Sequence, residues 1–411
     1  MDYPRERGDG IMSMKNRSPK RRFRGFSGEW EQRKLGDVSE IRTGPFGSVL
    51  HAEDYVSDGT PIVTTEHFKT GSLPVEKECL PQVSDMDYNR LNSYKLERGD
   101  IVFSRVGSVD VNALVEEEQA GWLFSGRVLR VRPQRTINGR CLHYLLETNG
   151  VKNDIISRAV GQTMPSINTE ILNATMICMP DSQDEQYKIG EYFANLDNLI
   201  ALHESKVAKL NCLKKAYLSE LFPRPGEKVP RRRFKGFTGD WEQRKLDEVV
   251  NRYDNLRVPV AANLRKEGTT PYYGANGIQD YVEGFTHEGK FVLVAEDGAN
   301  DLKNYPVQYV EGRIWVNNHA HVIQAKENKA DNKFLSYAIS QADIESLLVG
   351  GGRAKLNANI MMEMEIIYPN VEEQEKIGEF FADLDNLIIL HQRKLVKLQA
   401  LKKAYLAEMF V

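Results

Sequence analysis

Residues 185–222 read EQYKIGEYFANLDNLIALHESKVAKLNCLKKAYLSELF, and residues 373–410 read EQEKIGEFFADLDNLIILHQRKLVKLQALKKAYLAEMF. Of the 38 aligned pairs, 26 are identical. In the first copy Ile189, Phe193, Leu196, Ile200, His203, Val207, Leu210, Lys214, Tyr217 and Leu221 follow one another at alternating steps of four and three. That is a heptad seam, which predicts a long coiled-coil helix. The second copy repeats it with Ile377, Phe381, Leu384, Ile388, His391, Leu395, Leu398, Lys402, Tyr405 and Met409. A histidine and a lysine interrupt both seams at equivalent places, as polar residues that fix register do. Ser182 with Glu185, and Asn370 with Glu373, carry the spacing of a helix-capping box just after Pro180 and Pro369.

A second block is also duplicated. Arg21 to Leu35, RRFRGFSGEWEQRKL, returns as Arg232 to Leu246, RRFKGFTGDWEQRKL. Trp30 and Trp241, with Phe26 and Phe237, are expected to pin these linkers onto the scaffold. Between the repeated parts lie two stretches, 37–183 and 248–371, that are much less alike. Internal repeats decide architecture. A repeated frame with divergent inserts is the layout of a two-headed reader.

Two long helices in one chain most simply pair with each other. A short linker, Pro223 to Pro230, leads from the end of the first into the second insert, which enters the start of the second. Antiparallel pairing makes those ends neighbours. It also brings Phe410 close to Arg21, so the chain is nearly a closed ring with a pseudo-two-fold repeat. Flanking the seam, Tyr192, Leu199 and Leu213 match Phe380, Leu387 and Leu401. This row either packs on the chain's own domains or docks helices of a partner.

Each insert mixes strand-like runs with helix. Pro61 to Thr65, Gly99 to Arg105 and Arg127 to Arg132 read as strands and Cys141 to Ser157 as a helix. In the second insert Phe291 to Ala295 and His319 to Ala325 read as strands and Asn332 to Leu348 as a helix. The expected fold is therefore α/β: two globular α/β domains joined by two long antiparallel coiled-coil helices.

Composition narrows the function. With 41% hydrophobic and 27% charged residues and a net charge of −3, the chain is an ordinary globular one. It has no apolar run of about 18 residues that would span a membrane, and its first 20 residues lack the apolar core of a signal peptide. Cys79, Cys141, Cys178 and Cys212 form no CxxC pair, which fits a reducing cytoplasm. Neither a GxxxxGK[ST] loop nor an Asn/Asp-Pro-Pro-Tyr/Phe motif occurs, so the sequence carries no signature of ATP-driven translocation or amino-methyl transfer. His319 and His321 alternate on an expected strand and read as a packed or hydrogen-bonded pair rather than metal ligands. The duplicated basic clusters, Lys20 to Arg24 and Arg231 to Lys235, are either solvated linkers or part of a DNA-facing surface.

The motifs in order carry a resemblance. Gly44-Pro45-Phe46-Gly47-Ser48, Gly99-Asp100-Ile101-Val102, Gly161 to Asn168 and Glu185 to Ile189 look like the specificity subunit of a Type I restriction-modification system. Pro271 to Gly277, Asn317 to Ala320 and Glu373 to Ile377 resemble the same family in the second half. The match begins near residue 21. The second half departs from it at Gly350 to Asn357.

The resemblance implies a non-catalytic reader with two target recognition domains. Its implied partners are double-stranded DNA, two DNA methyltransferase subunits, and restriction subunits in the full complex. S-adenosylmethionine, ATP and magnesium would belong to those partners; none is expected in this chain. We expect a flexible tail over 1–20, target recognition domain 1 over 21–183, helix 1 over 184–222 and a linker over 223–231. Target recognition domain 2 then covers 232–371 and helix 2 covers 372–411.

Polar loop residues are the candidates for DNA contact, because they can bond both phosphates and base edges. In the first domain these are Thr43, Phe46, Ser48, Thr65, His67, Arg105, Ser108, Gln162 and Ser166. In the second they are Tyr272, Tyr273, Asn276, Gln279, Asn300 and Arg353. Gly44, Gly47, Gly274 and Gly277 read as tight turns. Two dissimilar readers on one rigid frame predict a bipartite, non-palindromic site. A tandem DNA-binding regulator and a coiled-coil scaffold without DNA contact stand as alternatives.

Overall fold

The computed structural model describes residues 17–45, 50–350 and 354–411. The two repeated segments are α-helices of 39 residues each, Gln183–Leu221 and Val371–Met409. None of the twenty seam positions is exposed. Ser182 Oγ accepts from the Glu185 amide at 3.4 Å and Asn370 Oδ1 from the Glu373 amide at 2.9 Å, so both caps form.

The glutamates do not close a capping box. Each carboxylate turns instead to an arginine of the repeated linker. Arg22 Nε and Nη2 donate to the two Glu185 oxygens at 2.6 and 2.7 Å, while Arg22 Nη1 donates to the Gly28 carbonyl at 2.6 Å. Arg233 does the same with Glu373, at 2.7 and 2.7 Å, and with Gly239 at 2.6 Å. Both carboxylates are buried. The hydrogen bond to the glutamate raises each guanidinium pKa.

The next residue in each copy clips the insert to the helix. Gln186 Oε1 accepts from the Asn138 amide at 2.8 Å, and Gln374 Oε1 from the Asp331 amide at 3.1 Å. Asn138 and Asp331 are themselves N-caps of the insert helices Gly139–Leu146 and Asn332–Ser340. The repeated Glu-Gln pair thus fastens both the linker and the insert to the start of each long helix.

The described residues form two compact units, one of those up to 202 with 394–411, the other of those from 203 to 393. Each takes a piece of both long helices. In the first unit Phe193 stacks on Phe410 with centroids 5.8 Å apart, and Tyr192 meets Tyr405 at 5.6 Å. The lysine interruption is paired: Lys402 Nζ lies 2.8 Å from Asp197, which also accepts from the Tyr144 hydroxyl at 2.8 Å. In the second unit Lys214 reaches Asp385 at 2.6 Å, Tyr337 donates to the same aspartate at 2.7 Å, and Tyr217 packs on Phe380 at 5.0 Å. The histidine interruption is a pair too, with His203 Nδ1 and His391 Nδ1 at 2.9 Å. From Phe193–Phe410 to Asp197–Lys402 in the first unit, and from His203–His391 to Tyr217–Phe380 in the second, the partner number falls as the first rises, so the helical segments run antiparallel.

The inserts share a frame. In the first unit the strands Ser39–Thr43, Val128–Pro133, Ile101–Ser104 and Asn112–Leu114 form an antiparallel sheet in that order. The second unit lays Val250–Arg252, Ala320–Ala325, His287–Ala295 and Val307–Val316 in the same order. Each adds one parallel pairing: Ile62 and Val63 with Leu123 and Phe124, Tyr272 and Tyr273 with Trp315 and Val316. The hairpin Glu267–Gly274 and Gly277–Val282 extends the second sheet to six strands, whereas the first unit builds a separate four-stranded sheet. Trp30 and Trp241 are buried in the cores of their units, edge-on to Phe410 and Phe222.

Several elements differ from their expected spans, three of them for a reason visible in the local structure. Cys141 to Ser157 is two helices, Gly139–Leu146 and Asn149–Arg158. Thr148 Oγ1 bonds back to the Leu145 carbonyl at 2.7 Å, a local bond that competes with helix continuation. The strand expected to reach Thr65 ends at Val63, because Thr65–Phe68 coils into a 3₁₀ turn. The helix expected to reach Leu348 ends at Ser340, and Glu345–Leu347 is a separate 3₁₀ turn.

Candidate nucleic-acid interface

Backbone hydrogen bonds gather the candidate loops of the first unit along one edge of its frame. The Arg105 amide donates to the Arg127 carbonyl at 2.9 Å, and the Gly107 amide to Pro165 at 2.8 Å. Val106 and Ser166 form a β-bridge. The Ser125 amide donates to Val63 at 2.9 Å, and the Gly44 amide to Val128 at 3.1 Å. Thr43, Thr65, Arg105, Ser108, Gln162 and Ser166 therefore lie on connected segments. Their exposure differs. Ser108 and Gln162 are exposed; Thr43, Thr65, His67, Arg105 and Ser166 are half-buried. His67 Nδ1 accepts from the Thr64 amide at 3.1 Å and so closes its own turn, and burial lowers its pKa. Arg105 Nη1 donates to the Gly126 carbonyl at 3.1 Å. Thr43 Oγ1 is buried with no hydrogen-bond partner among the described residues.

The second unit builds the same edge with other side chains. Its backbone bonds repeat: Glu296 to His319 at 2.9 Å, Leu356 to Glu296 at 2.8 Å, Asn317 to Tyr273 at 3.0 Å, and a bridge between Asp297 and Lys355. Asn276 ties the hairpin turn to the neighbouring loop. Its Nδ2 donates to the Gly298 carbonyl at 2.9 Å and its Oδ1 accepts from the Asn300 amide at 2.9 Å. Asn317 Nδ2 reaches Gln279 Oε1 at 3.5 Å. Asn276, Gln279 and Asn300 are exposed and Tyr273 is half-buried, with its phenol pKa raised by burial.

Beneath them lies a charged network. Glu296 pairs with Arg257 at 2.6 Å and Lys355 at 2.8 Å. Burial opposes its ionisation, but these partners outweigh it and hold the carboxyl below the usual range. Asp254 is likewise held low, burial being outweighed by its bond to His321.

Tyr272 is not on this edge. It is 1% exposed, its hydroxyl donates to the Val260 carbonyl at 3.3 Å, and its ring stacks on Trp315 and lies under Arg265. The reason is register: Tyr272 occupies the place that Ile62 holds in the first unit, inside the parallel pairing. His319 and His321 do not share a strand face either. His319 precedes the strand and its Nδ1 meets Asp297. Buried His321 reaches Asp254 at 2.8 Å and the Leu356 carbonyl at 2.9 Å. Among the described residues no cluster could hold a metal ion. Phe46, Ser48 and Arg353, with Gly47, lie outside the described residues. At the described ends of the stretch where the second half departs, the backbone matches that of the first half. Gly161 and Gly350 share φ values of 101° and 99°, and Val160–Ser166 and Val349–Lys355 are bridged alike.

The model of the Type I restriction modification DNA specificity domain matches residues 27–211 and again 238–400, well over half of the chain. The chain belongs to this family. Specificity subunits of Type I systems are DNA-recognition subunits with no catalytic role of their own. A putative type I restriction enzyme specificity subunit of Haemophilus influenzae is 47% identical over 136 residues, 33% of this chain and 35% of that protein. The match thus spans about a third of that relative's length. The specificity subunit of the type I restriction enzyme MjaVIII of Methanocaldococcus jannaschii is 20% identical over 408 residues, 91% of this chain and 90% of that one. The fold is that of the crystallised Type I restriction-modification S subunit of M. genitalium, with a TM-score of 0.73 at 16% identity over 96% of this chain and 99% of that chain.

Two features of the sequence, the row flanking the seam and the basic clusters, are partly used inside the fold. In the row flanking the seam, Tyr192 packs edge-on against Phe23 and Phe380 against Phe234, and Leu401 is partly buried against the first core. Leu199, Leu213 and Leu387 remain more than 40% exposed. Two arginines of each basic cluster are paired within the fold. Besides Arg22 and Arg233, Arg21 pairs with Glu408 at 2.7 Å and Arg232 with Glu220 at 2.6 Å. No helix among the described residues is long and apolar enough to cross a membrane.

Proposed function

We propose that this chain is the DNA-recognition subunit of a Type I restriction-modification complex, acting on DNA in the cytoplasm. Each unit reads one half of a bipartite, non-palindromic site. The repeated helices hold two methyltransferase subunits, and restriction subunits join in the full assembly. S-adenosylmethionine, ATP and magnesium are taken up by those partners. The observation that carries this reading is one frame with two different edges. The backbone bonds that place residues 105, 127 and 166 recur at 296, 319 and 355, yet the side chains there differ in both size and charge. A scaffold selects its positions; a reader varies its edge. Apolar positions left exposed on the helices, Leu199, Leu213 and Leu387 among them, suit helices of a partner.

Double-stranded DNA binding by the purified chain, measured from 50 to 200 mM salt, tests the first part. A reader that neutralises several phosphates loses affinity by orders of magnitude over that range. A flat response contradicts DNA reading and favours a protein-only scaffold.

A further inference from the structure

The strand at the centre of the first unit's frame carries arginines at 130 and 132, and a third, Arg127, sits in the turn before it. Two of these are consumed by the fold. Arg130 is 2% exposed and bonds Glu40 at 2.7 Å. Arg132 binds both Asp100 oxygens, at 2.8 and 2.7 Å, and Glu97 at 2.6 Å. Arg127 is different. Its side chain is exposed, and among the described residues it has no hydrogen bond, ion pair or ring contact.

Its backbone is nevertheless firmly placed. The Val128 amide donates to Ser125 at 2.9 Å to close the turn, and the Arg127 carbonyl accepts from the Arg105 amide. The Arg105 side chain braces the same turn through Gly126. An exposed guanidinium on a braced turn, amid loops bearing Thr43, Ser108 and Gln162, is poised to bind an acceptor from outside.

The equivalent backbone position in the second unit is His319, because the Glu296 amide donates to the His319 carbonyl as Arg105 does to Arg127. There the imidazole is tied to Asp297, and Glu296 replaces Arg105. One position of a shared frame thus holds an unpaired cationic fork in one unit and a carboxylate-bound histidine in the other. The two oxygen and nitrogen acceptors of guanine in the major groove match a guanidinium fork, and no other base offers that pair. We propose that Arg127 reads a guanine in the half-site recognised by the first unit, and that the second unit reads none from the matching position. This rests on the function proposed above.

The test is a genome-wide map of methylated bases in host cells whose own copy is replaced by the native chain, by Arg127→Gln or by Arg127→Lys. With the native chain, the half-site assigned to residues 37–183 contains a guanine. With Arg127→Gln, discrimination at that base alone falls on the order of 10- to 100-fold. Arg127→Lys keeps the charge without the fork and does not restore it. The other half-site is unchanged in both variants. Three results overturn the assignment while leaving the proposed function standing: a bipartite motif with no guanine in that half; discrimination unaltered in Arg127→Gln; or weaker methylation at every site that Arg127→Lys restores, which marks a phosphate contact. Absence of any bipartite motif with the native chain overturns both.

Discussion

Replacing Arg233 by alanine destabilises the second unit by about 2–4 kcal/mol, and Arg22→Ala does the same to the first. The reasoning starts from Glu373, which is buried. A carboxylate there is tolerable because Arg233 meets it with two hydrogen bonds of 2.7 Å. Without the guanidinium the charge stays buried and unpaired, which costs more than the pair contributes. The arginine lies near the rim, 13% exposed, so water recovers part of the loss and the expected cost begins below the roughly 3–5 kcal/mol of a fully buried pair. In a unit of this size each kcal/mol moves the melting midpoint by roughly 2–4 °C, so calorimetry of the full chain resolves the change. Arg233→Ala combined with Glu373→Leu removes both charges and recovers most of the stability. A single variant that melts within about 1 °C of the native chain would show that the pair does not hold the linker down.

The second large effect is expected at Gly44, where the requirement is space. A Cβ there would stand 2.1 Å from the Ser125 carbonyl oxygen, 2.4 Å from its carbon and 2.8 Å from the Phe124 oxygen. These are backbone atoms and cannot swing aside. Ser125 is held by its bond to Val63, and its carbonyl closes the turn onto Val128. Gly44→Ala therefore pushes the strand containing Thr43 away from the turn that carries Arg127. Overpacking of this kind costs about 1–3 kcal/mol. Displacement of contact groups by about 1 Å is worth up to about 100-fold in function. Methylation at the native motif is expected to fall more than tenfold while the chain still folds, read by base mapping alongside a melting curve. Native-level methylation in a folded Gly44→Ala chain would mean that this turn moves freely and is not part of the reading edge.

The long helices were legible because a heptad seam with polar interruptions at fixed places is a strong periodic signal, and every seam position is shielded. What the interruptions do was less legible. Lys214 and Lys402 look like register devices, but their partners Asp385 and Asp197 stand on the opposite helix, out of reach of local pattern. The glutamates that begin the helices fit a capping box, and only the tertiary fold reveals that Arg22 and Arg233 claim them instead. Charge in the linkers suggested solvent or DNA for the same reason.

In the inserts, Tyr272 has the composition of a contact residue. One sequence signal pointed the other way: Thr60-Pro61-Ile62-Val63 aligns with Thr270-Pro271-Tyr272-Tyr273, placing Tyr272 at a core position. Arg127 was hidden by an alternating run that reads as a strand from its first residue. The strand begins one residue later, at Val128, and that single residue of register separates a paired sheet arginine from one on an open turn.

The central claim is that each divergent unit reads its own half of a DNA site. The most direct measurement exchanges residues 37–183 for the matching segment of another family member and maps methylated bases across the genome. The account predicts a new sequence at one half-site, with the other half and the intervening spacing unchanged. A change in both halves, or in the spacing alone, would contradict it.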